Sequence, residues 1–240
     1  MKDVSYIIIF PDIHGREFWR PIMRKYLGKP EYGFIFLGDY FDPYPFENIS
    51  ETDALNNFRD MFNTFSNFDN VVWLIGNHDY HYLPWMFNEW GCRRSEQYLD
   101  IISQFFQDNF DKFNIAYEHQ VGDKKYLFTH AGVSSGWAKQ FNENVYNAQF
   151  LNNLKYQDKF KQIWQIGWDR GGIDENGSPI WADLYEMQWS EIPEDIYQIF
   201  GHTLSAPSFN SPLITNKFAM LDARKPFILD LATETISVLT

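Results

Sequence analysis

A buried strand leads directly into polar side chains in the segment Val71-Val72-Trp73-Leu74-Ile75-Gly76-Asn77-His78-Asp79. Its first five residues are β-branched or large and apolar, which is typical of a strand inside a sheet. The tetrapeptide Gly-Asn-His-Asp is expected by chance in only on the order of one in a thousand chains of this length. The segment therefore predicts a strand whose carboxyl end carries chemistry.

Four other apolar runs also lead into polar side chains. They are residues 6–10, 34–37, 126–129 and 196–200, and the polar segments that follow them are Asp12-Ile13-His14-Gly15, Gly38-Asp39-Tyr40-Phe41-Asp42, Thr129-His130-Ala131-Gly132 and Gly201-His202-Thr203. Loops at the carboxyl ends of strands converge on the ligand crevice of an α/β sheet, so we expect these side chains to meet in space.

Strand-like runs alternate with helix-like patterns in the first half of the chain, which indicates βαβ units and a parallel or mixed sheet. The capping box Ser50-Glu51-Thr52-Asp53 predicts the start of one helix. Apolar spacing predicts a second, amphipathic helix over residues 95–110. Runs at 217–221, 227–231 and 235–239 predict three strands in a meander, and hence a second sheet.

The composition is that of an ordinary globular protein. Of 240 residues, 45% are hydrophobic and 22% are charged, which excludes disordered, collagen-like and coiled-coil chains and suits a single domain over residues 1–240. The net charge of -12 argues against general nucleic-acid binding. Cys92 is the only cysteine, and no apolar run reaches the length of a signal-peptide core or a membrane span. We therefore expect a soluble cytoplasmic protein.

The converging groups have the composition of a metal site. Carboxylate and amide oxygens are hard ligands and imidazole nitrogen is borderline, a mixture that suits Mn, Fe, Co, Ni or Zn better than Ca or Mg. Six protein ligands exceed what one open catalytic ion needs, whereas two ions about 3.5 to 4 Å apart with a shared carboxylate accommodate all six. The candidate ligands are Asp12, His14, Asp39, Asn77, His130 and His202.

Taken in order, these motifs resemble those of the calcineurin-like metallophosphoesterases. The resemblance covers residues 5 to about 230. It is strongest to the branch of Ser/Thr protein phosphatases and bacterial diadenosine tetraphosphatase-like enzymes, because Leu204 stands where the wider family often has a second histidine after the Gly-His pair. It implies an α/β sandwich of two mixed sheets flanked by helices (α/β/β/α), with a dimetal site at the loop edge of the sheets.

The resemblance also assigns each ligand to an ion. Asp12, His14 and Asp39 would hold the first metal. Asp39 would bridge to the second metal, whose other ligands would be Asn77, His130 and His202. We expect two divalent ions, with Mn²⁺ first and Fe, Zn, Co or Ni as alternatives.

The implied reaction is hydrolysis of a phosphate ester. Two divalent ions against two ligand carboxylates leave a positive pocket for a phosphate and lower the pKa of a bridging water, which gives a hydroxide for in-line attack. By resemblance, His78 would donate a proton to the leaving oxygen, and Asp42 would accept its other ring N–H and orient the imidazole. We therefore expect a metal-dependent phosphatase.

Two positions depart from the protein-phosphatase pattern. Pro43 follows Asp42 where those enzymes usually carry an Arg that grips the substrate phosphate, and Asp79 stands where they usually have Glu. The segment Trp168-Asp169-Arg170-Gly171-Gly172 resembles the one that supplies a second phosphate-binding arginine, so we expect Arg170 to bind substrate. An ion pair between Arg170 and a nearby acid is the alternative.

Several of these residues also have a purely structural interpretation. Asp often begins a turn at a strand end, which is the alternative for Asp42, and His130 and His202 could be hydrogen-bonded core histidines. His81 matches no motif and is expected in the surroundings of the site or on the surface. The Arg93-Arg94 pair is interpreted as the start of a helix, with steering of an anionic substrate as the alternative.

The substrate remains open at this point, because a phosphoprotein, a dinucleoside polyphosphate and a small phosphomonoester present the same group to the same metals. The aromatic-rich stretch 164–189 could stack a base, which favours a phosphomonoester or dinucleoside polyphosphate over a Ser/Thr phosphoprotein. A non-catalytic binding module on the same fold would be expected to have lost ligands, and all six are present. A nuclease is disfavoured by the net charge and by Leu204.

Overall fold

Two packed β-sheets with helices on their outer faces form the structure. The computed structural model describes residues 1, 3–204 and 211–240. In these residues the strands are β1 (Tyr6–Phe10), β2 (Tyr32–Phe36), β3 (Val71–Leu74), β4 (Phe113–Asn114), β5 (Ala116–Val121), β6 (Lys124–Thr129), β7 (Ile196–Phe200), β8 (Leu213–Ile214), β9 (Phe218–Met220), β10 (Phe227–Asp230) and β11 (Thr235–Val238). The helices are α1 (Trp19–Tyr26), α2 (Glu51–Phe65), α3 (Asn77–Tyr80), α4 (Leu99–Asn109), α5 (Ser135–Ala138), α6 (Ala148–Asn153), α7 (Phe160–Ile163) and α8 (Leu184–Gln188).

Both sheets are mixed. The first has the strand order β11-β10-β1-β2-β3-β4, in which β1 to β4 run parallel and β10 and β11 are antiparallel additions. The second has the order β5-β6-β7-β9-β8, in which β6, β7 and β9 are parallel and the two edge strands are antiparallel. The predicted fold class, an α/β sandwich of two mixed sheets flanked by helices, is confirmed.

The central strands β1 and β2 of the first sheet are buried on both faces, which explains their continuous apolar runs. In β1, Ile7 and Ile9 lie in the core between the two sheets, whereas Ile8 and Phe10 pack in the core beneath the helices. Alternate residues of a strand point to opposite faces, so one run of five apolar residues serves both cores. The second sheet contributes to the shared core through Tyr126, Phe128, Tyr197, Ile199 and Ala219.

Helix α2 begins where its sequence predicts. The hydroxyl of Ser50 accepts the backbone N–H of Asp53 at 3.0 Å, and the Asp53 carboxylate accepts the Ser50 N–H in return. The apolar stripe along this helix is buried, with Leu55, Phe58 and Phe65 facing the first sheet's outer core. The capping box is therefore confirmed.

The helix predicted over residues 95–110 is shorter in the structure, where α4 spans Leu99–Asn109. Ser95 is buried and forms a turn, because its N–H donates to the Tyr82 hydroxyl at 2.6 Å and its own hydroxyl accepts the N–H of Tyr98 at 3.2 Å. These two bonds use local groups outside the helical pattern and delay its start.

The predicted meander of three C-terminal strands is wrong. Strand β9 lies in the second sheet parallel to β7, whereas β10 and β11 form an antiparallel pair in the first sheet, with β10 beside β1. Apolar alternation identifies a strand but not its partner, and here the chain crosses between sheets after β9. None of the helices in the described residues is long and apolar enough to cross a membrane.

Candidate metal centre

The polar segments at the carboxyl ends of five strands meet at one edge of the sandwich, as predicted. Three of these strands, β1, β2 and β3, belong to the first sheet, and two, β6 and β7, belong to the second. Their side chains are almost fully buried, except for the half-buried His202, although they are charged or polar. Such burial is costly unless the groups are partnered or bind an ion. The group consists of Asp12, His14, Asp39, Asp42, Asn77, His78, His130 and His202.

A pair of glycines lets the loops after β2 and β3 approach each other. Gly38 has a φ of 105°, and a Cβ on it would overlap the backbone nitrogen of Gly76. A Cβ on Gly76 would in turn overlap the carboxylate of Asp39. Glycine is therefore required at both positions for Asp39 to lie next to the start of α3.

Asp39 lies at the centre of the site. Its Oδ1 accepts the backbone N–H of His78 at 3.1 Å. Its Oδ2 is 3.5 Å from Nε2 of His14 and 3.5 Å from Nε2 of His130. Two groups of candidate ligand atoms therefore share this carboxylate, namely His14, Asp39 and His78, and Asp39, His130 and His202.

Backbone carbonyls fix the orientation of two of the imidazoles. Nδ1 of His14 donates to the carbonyl of Phe41 at 2.8 Å, and Nδ1 of His130 donates to the carbonyl of Leu37 at 2.8 Å. A carbonyl can only accept, so Nδ1 must carry the proton in both rings. Nε2 of each ring then points to the shared carboxylate, which is the arrangement that histidine ligands of metals use.

The second group is completed by Asn77 and His202. Nε2 of His130 is 3.0 Å from Oδ1 of Asn77 and 3.0 Å from Nδ1 of His202. Nε2 of His202 is buried and has no hydrogen-bond partner among the described residues. Asp12 lies beside this group rather than inside either one, because its Oδ1 accepts the backbone N–H of His202 at 2.9 Å.

The charges of the site are strongly coupled. Burial lowers the pKa of His14 to about 3, so this ring is neutral at physiological pH. Against the effect of burial, the carboxylates of Asp39 and Asp12 raise the pKa of His130 to about 9. Burial also opposes the ionised form of Asp39, but His130 and His78 hold the pKa of that carboxyl well below its usual range.

His78 and Asp42 form a buried pair next to the two ligand groups. Nδ1 of His78 donates to Oδ2 of Asp42 at 2.8 Å, and the other carboxylate oxygen accepts the Tyr82 hydroxyl at 2.6 Å. Although burial opposes the charged imidazole, Cys92, Asp39 and Asp42 together raise the pKa of His78 well above its usual value. The arrangement can hold a protonated imidazole next to the candidate metal ligands.

Four of these residues have a left-handed backbone. The φ angles are 42° for His14, 54° for Asp39, 59° for Asp42 and 68° for His202. Residues other than glycine rarely adopt this region, and such residues concentrate at functional sites. The positive φ values are therefore a second observation, independent of side-chain chemistry, that indicates a functional site at this edge of the sandwich.

The donor set fits two divalent ions. It contains carboxylate, amide and imidazole ligands that converge from two sides on one shared carboxylate, together with an orphaned buried nitrogen on His202. Buried imidazoles and carboxylates that face one another without other partners are stabilised when a cation binds between them.

A family model agrees with this chemistry. The model described as calcineurin-like phosphoesterase matches residues 5–206. The chain is a calcineurin-like phosphoesterase. The family and the enzyme class predicted from the motifs, a metal-dependent phosphoesterase, are thereby confirmed.

Solved structures share the fold of this phosphoesterase at low sequence identity. A cold-active protein-tyrosine phosphatase from Shewanella is 14% identical with a TM-score of 0.62, covering 100% of this chain and 83% of that one. A structure assigned provisionally to a diadenosine tetraphosphatase is 14% identical with a TM-score of 0.55, and the match covers 99% of this chain and 94% of that one. A protein serine/threonine phosphatase from Saccharomyces cerevisiae is 16% identical with a TM-score of 0.50, covering 95% and 73%. No curated protein matches the sequence significantly.

Arg170 of the phosphoesterase lies next to the site and is also ion-paired. Its Nη2 donates to the hydroxyl of Thr203, the residue after His202, and its Nε is 2.8 Å from Oδ2 of Asp183. Both interpretations of this arginine in the sequence are therefore compatible with its position. His81 lies outside both ligand groups, with Nε2 bonded to the carbonyl of Glu89 at 2.9 Å.

Sequence reasoning missed two acidic residues of this site. Asp222 is buried, its Oδ1 has no partner among the described residues, and burial and Asp12 raise its pKa well above the usual value. Asp79, which departs from the protein-phosphatase pattern, accepts three backbone N–H groups of the site loops with its carboxylate. Asp222 follows a predicted strand directly, which is the signal that marked the other five segments.

Proposed function

We propose that this phosphoesterase uses two divalent ions, Mn²⁺ first, to hydrolyse a phosphomonoester or a dinucleoside polyphosphate. The observation that supports it is the pair of ligand groups that share Asp39, with the His78–Asp42 pair beside them. Fe, Zn, Co and Ni are the alternative ions for the same donors.

Six side chains would hold the ions. Asp12, His14 and Asp39 would bind the first, and the second would be bound by Asp39 with Asn77, His130 and His202. When bound, such ions supply positive charge that offsets the phosphate and lowers the pKa of water. Their imidazole ligands are oriented beforehand by the carbonyls of Phe41 and Leu37, so little rearrangement is needed on binding.

His78 is proposed as the proton donor to the leaving oxygen. Its Nδ1 is occupied by Asp42, which leaves Nε2 to exchange a proton with substrate. Asp42 is fixed in turn by the Tyr82 hydroxyl, so the imidazole is held in one orientation and one tautomer. No covalent intermediate is required.

A cavity beside the site supports a nucleotide-like substrate. It has a volume of about 470 Å³ and is lined by Trp90, Trp164, Ile166 and residues 171–174. The Trp164 ring centroid is 5.2 Å from that of Trp181, which is 5.9 Å from the ring of His202. The rings of Trp164 and Trp181 therefore connect this cavity to His202, so a base stacked against Trp90 would lie two aromatic rings away from that candidate ligand.

The cavity can be tested with a pair of tryptophan variants. Trp90→Ala is expected to raise KM for a dinucleoside tetraphosphate about tenfold while leaving glycerol phosphate unaffected, because only the nucleotide has a base to stack. Trp189→Ala is the matched control, since Trp189 is 85% exposed and does not line this cavity. An equal effect on both substrates, or no effect, would contradict the assignment.

A phosphoprotein is the second candidate substrate. Two of the solved structures that share this fold are called protein phosphatases, and the same metals and proton donor would serve a phosphopeptide. A panel that contains phosphoserine, phosphothreonine and phosphotyrosine peptides beside the nucleotides separates the two candidates through kcat/KM.

The proposed reaction is tested by removing and restoring metal. The purified protein is stripped with a chelator, and hydrolysis of a chromogenic phosphomonoester and a phosphodiester is followed with and without Mn²⁺. We expect monoester cleavage that Mn²⁺ restores and that Asp39→Asn abolishes, because Asp39 is shared by both ligand groups.

Asp100→Asn is the matched control for this experiment, since Asp100 is an exposed carboxylate on the first turn of α4. It should keep full activity. Two bound metal ions per chain without turnover of any ester in the panel would contradict the enzyme proposal and favour a binding module on the same fold.

A further inference from the structure

Arg93 lies at the rim of the candidate site. Its Nη2 donates to the backbone carbonyl of Asp42, and its guanidinium stacks over the ring of Tyr44, 4.4 Å from the centroid. The Tyr44 ring is in edge contact with His14, at 5.0 Å between centroids. Arg93 therefore contacts the backbone of Asp42, whose carboxylate orients His78, and the Tyr44 ring lies between Arg93 and the candidate ligand His14.

The other arginines around the site are neutralised by carboxylates. Arg16 and Arg224 share Glu47, at 3.0 and 3.3 Å, and Arg170 pairs with Asp183. Among the described residues, no carboxylate lies within ion-pair distance of Arg93, whose side chain is exposed. Its charge is thus free to meet an anion from solution.

Its neighbour Arg94 has a different environment. Nη2 of Arg94 donates to the carbonyl of Phe87 at 2.8 Å and Nη1 to that of His81 at 3.2 Å. These bonds tie the loop before α4 together, so Arg94 has a structural part. The pair does not start a helix, because α4 begins at Leu99.

We propose that Arg93 binds the phosphoryl group of the substrate and is a specificity-determining residue of the proposed phosphoesterase reaction. A guanidinium has five N–H donors in a planar fork, and the bond to Asp42 uses only one of its two terminal nitrogens. The remaining donors suit two oxygens of a phosphate, which Pro43, at the next position after Asp42, cannot bind. The stacking on Tyr44 holds the fork in place before substrate arrives.

This inference rests on the proposed function, and direct phosphate binding separates the two. Arg93→Ala is expected to weaken binding of inorganic phosphate to the Mn²⁺-loaded protein by roughly tenfold or more, measured by calorimetry, and to raise KM for a phosphomonoester similarly. Arg93→Lys should recover only part of this loss, because an ammonium keeps the charge but lacks the planar fork. The metal content per chain should remain that of the unchanged protein.

Arg24→Ala is the matched control, since Arg24 is an exposed arginine on the last turn of α1. If Arg93→Ala binds phosphate within about twofold of the unchanged protein, the inference is wrong even when the enzyme is active. If the unchanged protein binds phosphate through Arg93 but cleaves no ester, the inference holds and the proposed function fails. Loss of metal in Arg93→Ala would also overturn it, because the residue would then act through the metal site.

Discussion

A single carboxylate connects the loops that carry the candidate ligands. Oδ2 of Asp79 accepts the backbone N–H groups of Asp39 at 2.6 Å and of Gly76 at 2.9 Å, and Oδ1 accepts the N–H of Tyr40 at 2.9 Å. Asp79 is completely buried. Its side chain therefore replaces the strand-to-strand hydrogen bonds that end where β2 and β3 diverge.

Asp79→Asn should destabilise the protein and weaken metal binding together. Asparagine keeps one acceptor oxygen but turns an NH₂ group toward a backbone N–H, so at least one buried donor loses its partner, at a cost of about 1 to 3 kcal/mol. Thermal unfolding and metal titration measure the two effects. Asp108→Asn, on the exposed face of α4, should change neither. Unchanged metal affinity in Asp79→Asn would show that the loops hold their positions without this carboxylate.

Metal binding should release a proton from His130. In the metal-free protein its pKa is raised to about 9, above the ordinary 6.5, so the ring is charged at pH 7. A histidine that binds metal through Nε2 must lose the proton there, so affinity for the second ion should rise with pH up to about 9, and binding of that ion at pH 7 should displace about one proton from this ring. His14, with a pKa of about 3, is already neutral and contributes none.

Calorimetric titration in buffers of different ionisation enthalpy measures that proton release. In the metal-free protein the raised pKa also contributes stability that is present below pH 6.5 and is lost as the pH rises through about 9. His130→Gln should remove both the proton release and this part of the pH dependence. Metal affinity that does not change between pH 6 and pH 8 would contradict the prediction.

At the scale of elements, α2 covers the outer face of the first sheet and depends on its cap. Ser50→Ala removes the hydroxyl that accepts the Asp53 N–H and should cost about 1 kcal/mol, or about 2 to 4 °C in melting temperature for a chain of this size. Ser66→Ala at the other end is the control, because there the backbone N–H of Ser66, not its hydroxyl, bonds to Phe62. Equal melting temperatures in the two variants would contradict a stabilising cap.

The central strands could be predicted because their burial in the sandwich requires runs of apolar residues. Strands β1 and β7 have the predicted bounds, since both are mostly buried apolar runs. The exception in β7 is Gln198, whose buried amide is hydrogen-bonded to the backbone of Val133. Helix α1 was not predicted because it spans only two turns and contains Pro21, which the first turn of a helix tolerates. The short helices α5 to α8 were also not predicted, because one or two turns have too few positions to show a helical period.

The candidate site was predictable in part. Eight side chains that lie together at one edge of the sandwich were found from the segments in which polar residues follow a strand. This worked because strand direction alone brings those loops together. Asp222 directly follows the predicted strand 217–221, so the same rule could have placed it. Arg93 could not be placed this way, since its position depends on the path of the loop before α4. The pairing of β9 with β7 rather than with β10 likewise depends on contacts distant in sequence.

At the scale of the whole molecule, the candidate ligands join the two sheets. Asp12, Asp39 and Asn77 follow strands of the first sheet, and His130 and His202 follow strands of the second. An ion held from both sides should therefore stabilise their packing. Removal of metal with a chelator should lower the melting temperature by about 5 to 10 °C, and added Mn²⁺ should restore it.

The control for that experiment is Asp39→Asn, whose melting temperature should respond little to chelator. Differential scanning calorimetry of both proteins provides the comparison. An identical chelator effect on the variant would mean that the stabilising ion is bound elsewhere.

The hydrogen bond from the His202 backbone to Asp12 joins residues 190 positions apart. During synthesis the chain leaves the ribosome from its N-terminus, so Asp12, His14 and Asp39 are exposed long before His202 exists. The half-built site contains unpaired carboxylates and only some of the imidazoles, and it cannot bind metal in its final geometry. With the ligands proposed here, metal loading should therefore follow the synthesis of His202 and the packing of both sheets.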